Sequence, residues 1–265
     1  MSQIRQVADA FQPNKVFSAN SVRILIFTQI VIFLLIWMLS PTVFLPKPGE
    51  IITAFSNLWM NYGLGNELIT SFTLNLEALA LSTVVSLLLA YSTVVPFMRP
   101  IVALLGKLRF LSLAGLSFFF TMMASTGHEL KLYLLMFSVT VFFVTSMVDV
   151  VASVPKDICD LARTLRMSEW HVAWECVILG RADQAFDVLR QNAAIGWMMI
   201  SMVEGISRSE GGVGGLLLNQ QKYFRLDAVF AIQICILLLG LGQDYAIGAI
   251  KKICCPYASM TLERK

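Results

Sequence analysis

The 265-residue chain is 57% hydrophobic and only 14% charged, with a mean hydropathy of +0.73. Soluble domains carry about 25% charged residues, so this balance excludes an ordinary soluble enzyme and points to an all-α protein that crosses a membrane several times. A net charge of +3, with no basic block interleaved with aromatics, argues against a nucleic-acid partner.

Residues 1–21 are mixed and polar and read as a cytoplasmic or interfacial lead-in, not a signal peptide. The first apolar span is about Val22–Leu39. The proline-rich run Ser40–Pro48 cannot continue it as a helix. Gly49–Met60 is amphipathic, with Ile51, Ile52, Phe55, Leu58 and Trp59 on one side, and suits a helix lying at the outer interface. Further spans are expected at about Leu74–Val95, Leu108–Ser125, Leu132–Val148, Leu189–Val203 and Ala228–Ile250. About six transmembrane helices therefore fill a membrane domain over 22–255, before a cytoplasmic tail over 256–265. With the N-terminus inside, most of the 20 Lys and Arg fall on the cytoplasmic side, which places both termini there.

The most polar stretch, about Asp149–Arg190, becomes a cytoplasmic loop in this topology. Pro155 suits the start of a helix, and Asp157 and Asp160 favour its positive end. Ile158, Leu161, Ala162 and Leu165 recur at helical spacing and can bury one face against something. Ser168 can cap a second short helix that carries Trp170, Val172, Trp174 and Val177. A loop this long exceeds a connector's needs and suits presentation of a helix to a cytoplasmic partner.

Asp160-Leu-Ala-Arg-Thr-Leu-Arg-Met-Ser168, followed by Val177-Ile-Leu-Gly180, resembles the E-A-A-R-S-L-G-A-S … V-L-P loop of bacterial ABC-transporter permeases. Leu161, Arg166 and Gly180 depart from the pattern, standing where the family has Ala, Gly and Pro. Arg166 matters most, because glycine reaches positive φ freely and arginine only at a cost. Further stretches resemble the branch that imports nitrate, sulfonates and taurine. They are Leu45-Pro-Lys-Pro48 with Glu50, Gly127-His-Glu-Leu-Lys131, Phe142-Phe143 with Ser146, and Glu204 through Gly214 with Leu216. Tyr223-Phe224-Arg225 continues the last of them.

The resemblance implies a type I ABC importer permease fold in a bacterial inner (plasma) membrane. It implies a loop that couples to the ATPase through Asp160, Ala162, Leu165, Arg166, Ser168 and Trp170. The implied partners are two ABC ATPase subunits, a second permease subunit in a homodimer or a paired permease, a periplasmic or lipid-anchored solute-binding protein, and membrane lipids. Its function would be alternating-access import of a small anion such as nitrate, sulfonate or taurine.

Candidate gate or pathway residues are Glu77, Asn192, Glu204, Gly211 and Gly214, because polar groups within spans are costly and glycine clusters form tight turns. Glu77 is expected in the first turn of the second span, within reach of the interface. Asp244 is expected near the cytoplasmic face, where solvation is easy. The glycine cluster lacks the G-x-x-x-x-G-K-[ST] of a phosphate-cradling loop, so a tight re-entrant turn is its expected role. No catalytic residue, metal or cofactor is expected. The two histidines fall on opposite sides of the membrane, and the five cysteines lack ligand spacing and are expected as reduced thiols. A stand-alone secondary transporter or channel of six spans is the alternative.

Overall fold

The structure is a computed structural model that describes residues 19–39, 46–207 and 210–257. Most of the N-terminal lead-in, Leu45, Arg208 and Ser209 of the glycine segment, and most of the tail lie outside the described residues. Among the described residues every regular element is helical, as expected of an all-α membrane protein.

Helix α1 (Ala19–Leu39) is followed by α2 (Pro48–Asn61) and the long α3 (Leu64–Ser92). Then come α4 (Met98–Lys107), a 3-10 turn (Leu108–Phe110), α5 (Leu113–Met123) and α6 (Gly127–Ala152). The loop region holds α7 (Lys156–Thr164) and α8 (Glu169–Val172). These lead through a π-helical turn (Ala173–Ile178) and a 3-10 turn (Leu179–Arg181) into α9 (Ala182–Ile206). Helices α10 (Val213–Lys222) and α11 (Leu226–Cys254) complete the bundle.

Among the described residues four helices, α1, α3, α6 and α11, are individually long and apolar enough to cross a membrane. The expected third span is not one helix. Met98–Phe110 and Leu113–Met123 meet at a bend of 110°, because Ser112 is extended between them and Lys107 and Arg109 crowd the break. The 11 residues of α5 reach only about 16 Å, too short to cross about 30 Å of hydrocarbon. The expected fifth span lies within α9, a 25-residue helix whose Asp183, Asp187, Arg190 and Glu204 keep it out of the apolar class.

The second span starts earlier than its hydropathy suggests, at Leu64, so Glu77 sits in the fourth turn of α3 instead of the first. Its carboxylate lies 3.1 Å from His128 Nε2 on α6. In α2, the residues facing the core are Ile51, Ala54 and Leu58, whereas Ile52, Phe55 and Trp59 are exposed. The expected apolar side therefore divides between protein and surroundings.

Helix α3 is the axis of the bundle. Ser71, Asn75, Ala78, Ser82, Ser86 and Ala90 recur at helical spacing along it, and all are buried. Small side chains let neighbouring helices approach closely, and α6 and α9 pack along this stripe. The main core gathers Leu64, Leu74, Leu135, Ile200, Val213 and Ile232 from five helices. A second cluster, Ala90, Phe143, Met147 and Val188, closes the other end. Two ion pairs fasten α9 to α11. Arg190 holds Asp244 through two bonds of 2.8 and 2.6 Å, and Lys251 reaches Asp187 at 2.6 Å.

Candidate functional site

The loop between α6 and α9 is a built structure. Pro155 precedes α7 as its N-cap, and Asp157 occupies the first turn. At the other end, Arg166 N–H donates to Arg163 O (2.9 Å) and Met167 N–H to Ala162 O (3.3 Å). These two bonds are the Schellman closure of a helix, which needs a left-handed residue between them. Arg166 is that residue, with φ +60°.

Ser168 then caps α8, its Oγ accepting from His171 N–H at 3.4 Å. Arg163 locks the corner. Its Nε and Nη2 bond Glu169 at 2.9 and 3.0 Å, and its Nη1 reaches Asp160 at 2.7 Å. The guanidinium holds the Glu169 carboxyl below the usual carboxylate range by direct hydrogen bonding.

A left-handed conformation costs a non-glycine residue about 1–2 kcal/mol. Arg166→Gly is therefore expected to raise the thermal midpoint of the loop or leave it unchanged. Limited proteolysis between α7 and α8 would check this, and faster cleavage would mean that the arginine side chain holds the turn.

Ala162 and Val172 face inward and seat the loop on the bundle. The expected apolar face of α7 is otherwise turned away. Leu161 is 64% exposed, Leu165 67% and Trp170 73%, and Ile158 and Trp174 are exposed beside them. Thus Leu165 and Trp170 flank the Arg166 turn on either side in sequence, and both are largely exposed among the described residues. Beneath the corner lies a cavity of about 700 Å³, lined by Arg99, Lys156, Cys159, Arg163 and Glu169 among apolar residues.

At the far end of the bundle the glycine turn meets three helices. Glu204, at the end of α9, is fully buried. Its Oε1 accepts from Ser71 Oγ (2.6 Å) and its Oε2 from Gly214 N–H (2.6 Å). Ser71 Oγ in turn accepts from Val213 N–H at 2.8 Å. A carboxylate on the first amides of α10 is placed where the helix dipole favours it. Gly212 N–H donates to Glu67, and the buried Lys131 donates to Gly211 O at 2.7 Å.

The glycines are required there. Gly211 and Gly212 have φ of +71° and +112°, and a Cβ on Gly212 would strike the Glu204 carboxyl. A Cβ on Gly214 would approach Ser201 Cα to 2.6 Å. The cluster is a tight turn that leads into α10, and its amides at Gly212, Val213 and Gly214 donate to Glu67, Ser71 and Glu204.

Asn192 lies elsewhere. It is buried in α9 and donates to Val188 O at 2.8 Å. Glu77, half-exposed beside His128, is also separate, so the structure brings together only Glu204, Gly211 and Gly214 among the candidate gate residues. Sequence reasoning missed Glu67, Ser71 and Lys131, the partners of that turn. It also missed a buried set between α3, α9 and α11, in which Asn75 Nδ2 and Trp197 Nε1 both donate to Gln243 Oε1 (3.0 and 2.7 Å). Asp244, expected where solvation is easy, is part-exposed and pairs with Arg190. All five cysteines are free thiols. Among the described residues, no group of three or more metal-ligating side chains comes together.

No protein-family model matches the chain. It is 30% identical over 101 residues to an ABC transporter permease protein of Methanocaldococcus jannaschii. That likeness supports the ABC-transporter permease family. The match covers 38% of this chain and 38% of the relative's length. It speaks for permeases at large, and the long apolar helices agree with a multi-pass membrane protein.

Proposed function

We propose that this chain is the permease subunit of an ATP-driven ABC importer. It would work with two ATPase subunits at the α7–α8 corner, a second copy of itself, and an external solute-binding protein. The observation that carries this reading is the corner itself: Leu165 and Trp170 stand exposed on a hydrogen-bonded, ion-paired turn, in a chain whose sequence has no phosphate-cradling loop. A rigid mount with an uncovered apolar anchor pair suits a partner that must push and pull.

The path for such force is short. Helix α8 continues through the π-helical and 3-10 turns into α9, and α9 is fastened to α11 by the Arg190–Asp244 and Lys251–Asp187 pairs. Movement of the corner would thus tilt α9 and α11 together, and α9 carries Glu204 of the glycine turn at its other end. Alternating access follows if the ATPase dimer binds the corner with different free energy in its open and closed states. The resemblance in the sequence supplies the orientation, with both termini cytoplasmic in a bacterial inner membrane. It also supplies the solute class, a small anion such as nitrate, a sulfonate or taurine.

The test is purification of the tagged chain from its native membrane, with sequencing of what remains bound. The expected result is a stoichiometric subunit bearing a phosphate-cradling loop, and no ATP turnover by the chain once that subunit is stripped away. Robust hydrolysis by the stripped chain, or solute flux through it in ATP-free vesicles, would overturn the assignment in favour of an autonomous carrier or channel.

A further inference from the structure

We propose that Cys159 and Cys176 are a redox-sensitive thiol pair, which a small anionic disulfide oxidises to a cross-link that locks the α7–α8 corner. The cross-link goes beyond the import reading and does not depend on it.

Helical register brings the two cysteines together. Lys156, Cys159 and Arg163 follow one another turn by turn along α7, and all three line the cavity beneath the corner. Glu169, Val172, Ala173 and Val177 line its other side at the spacing of one helical face. The Arg163–Glu169 bonds fix how the two walls are set against each other. One turn back from Arg163 stands Cys159. About two turns on from Glu169 stands Cys176, in the π-helical turn between Ala173 and Val177. There the two thiols are in hydrogen-bond contact across the walls.

Both thiols are free and only half-buried, so a reagent can reach them. Arg99, Lys156 and Arg163 outnumber Glu169 around the cavity, which draws in an anionic reagent. The exposed Leu161 and Leu165 are turned away from the cavity, so a partner seated on them leaves this side of α7 open.

The chemistry is thiol–disulfide exchange. One cysteine thiolate attacks a sulfur of the reagent disulfide, forming a mixed disulfide and releasing the first reagent thiolate. The second cysteine thiolate then attacks the protein sulfur of that mixed disulfide. The Cys159–Cys176 bond forms and the second reagent thiolate leaves. Two protein thiols are oxidised, one reagent disulfide is reduced, and the two cysteine protons end on the released thiolates. In a reducing compartment such a bond is transient, which suits sensing and not permanent stapling.

The bond would close a loop of about 17 residues around the Arg166 turn, a size at which a cross-link strongly suppresses local opening. On the import reading, the locked segment is the one that passes motion from the ATPase to α9. Oxidation would then arrest coupling reversibly.

The experiment uses the full chain in nanodiscs, treated with oxidised glutathione, alkylated and digested with trypsin. The expected main product is peptide 157–163 joined to peptide 167–181, absent from both Cys159→Ser and Cys176→Ser. Brief tryptic cleavage of the undigested chain at the corner should slow at least about tenfold on oxidation and recover with a thiol reductant. Glutathione held singly on the two cysteines, or main linkage to Cys254 or Cys255, would overturn the pairing. An unchanged cleavage rate in the cross-linked chain would overturn the lock. If either serine variant fails to fold, the linked peptide and the cleavage rate of the unaltered chain decide alone. No ATPase is present, so failure here leaves the importer assignment standing, and the reverse also holds.

Discussion

Replacing Glu204 with alanine is expected to lower the stability of the chain by about 2–6 kcal/mol, because it orphans two buried donors at about 1–3 kcal/mol each. Those donors are Ser71 Oγ–H and Gly214 N–H, which both end on the Glu204 carboxyl. Domains are held by about 5–15 kcal/mol in all, so the effect should be plain in a detergent unfolding midpoint. Gly212→Ala is expected to reproduce it by another route, since a Cβ there meets the same carboxyl and φ is +112°. Glu210→Gln, on an exposed neighbour, should shift stability by no more than about 0.5 kcal/mol. If Glu204→Ala proved as stable as Glu210→Gln, the turn would be seated by α10 packing alone.

The glycine turn shows where sequence reading reached and where it stopped. Glu204, Gly211 and Gly214 stand out because an acid at the end of an apolar span and a glycine run are each unusual. Their partners Glu67 and Ser71 did not, because hydropathy put the start of the second span at Leu74. The first turns of α3 are polar enough to look like loop, yet α2 and α10 pack against this helix. Lys131 was visible only as part of a motif; its burial depends on Gly211 arriving from a distant segment.

The third span is broken in two for a related reason. Residues 108–125 are apolar enough, but hydropathy does not register the extended Ser112 that turns α5 away by 110°. Arg190 and Asp244 are far apart in sequence, and only the antiparallel packing of α9 on α11 makes them a pair. The Arg166 turn was the opposite case. A family glycine at that position implies positive φ, and the backbone keeps it with arginine in place.

Leu165→Ala combined with Trp170→Ala should release the proposed ATPase partner while leaving the chain folded. Both side chains are already exposed, 67% and 73%, so truncating them removes little intramolecular packing. The loop is seated by other groups: the buried Ala162 and Val172, the Arg163–Glu169 bonds and the Schellman closure at Arg166. Loss of an interface anchor costs about 2 kcal/mol or more, roughly thirtyfold in affinity, which a pull-down at matched folded protein would detect. Val172→Asp is the contrasting variant. It drives a charge into the seat of the loop, and it should lower the unfolding midpoint and ATPase binding together. Full ATPase retention by the Leu165/Trp170 double variant would mean that the ATPase grips elsewhere on the cytoplasmic face. A drop in midpoint equal to that of Val172→Asp would mean that these side chains pack the loop in the membrane-embedded chain after all. Only selective loss of the ATPase, with the midpoint unmoved, fits a corner whose apolar surface is kept open for a partner.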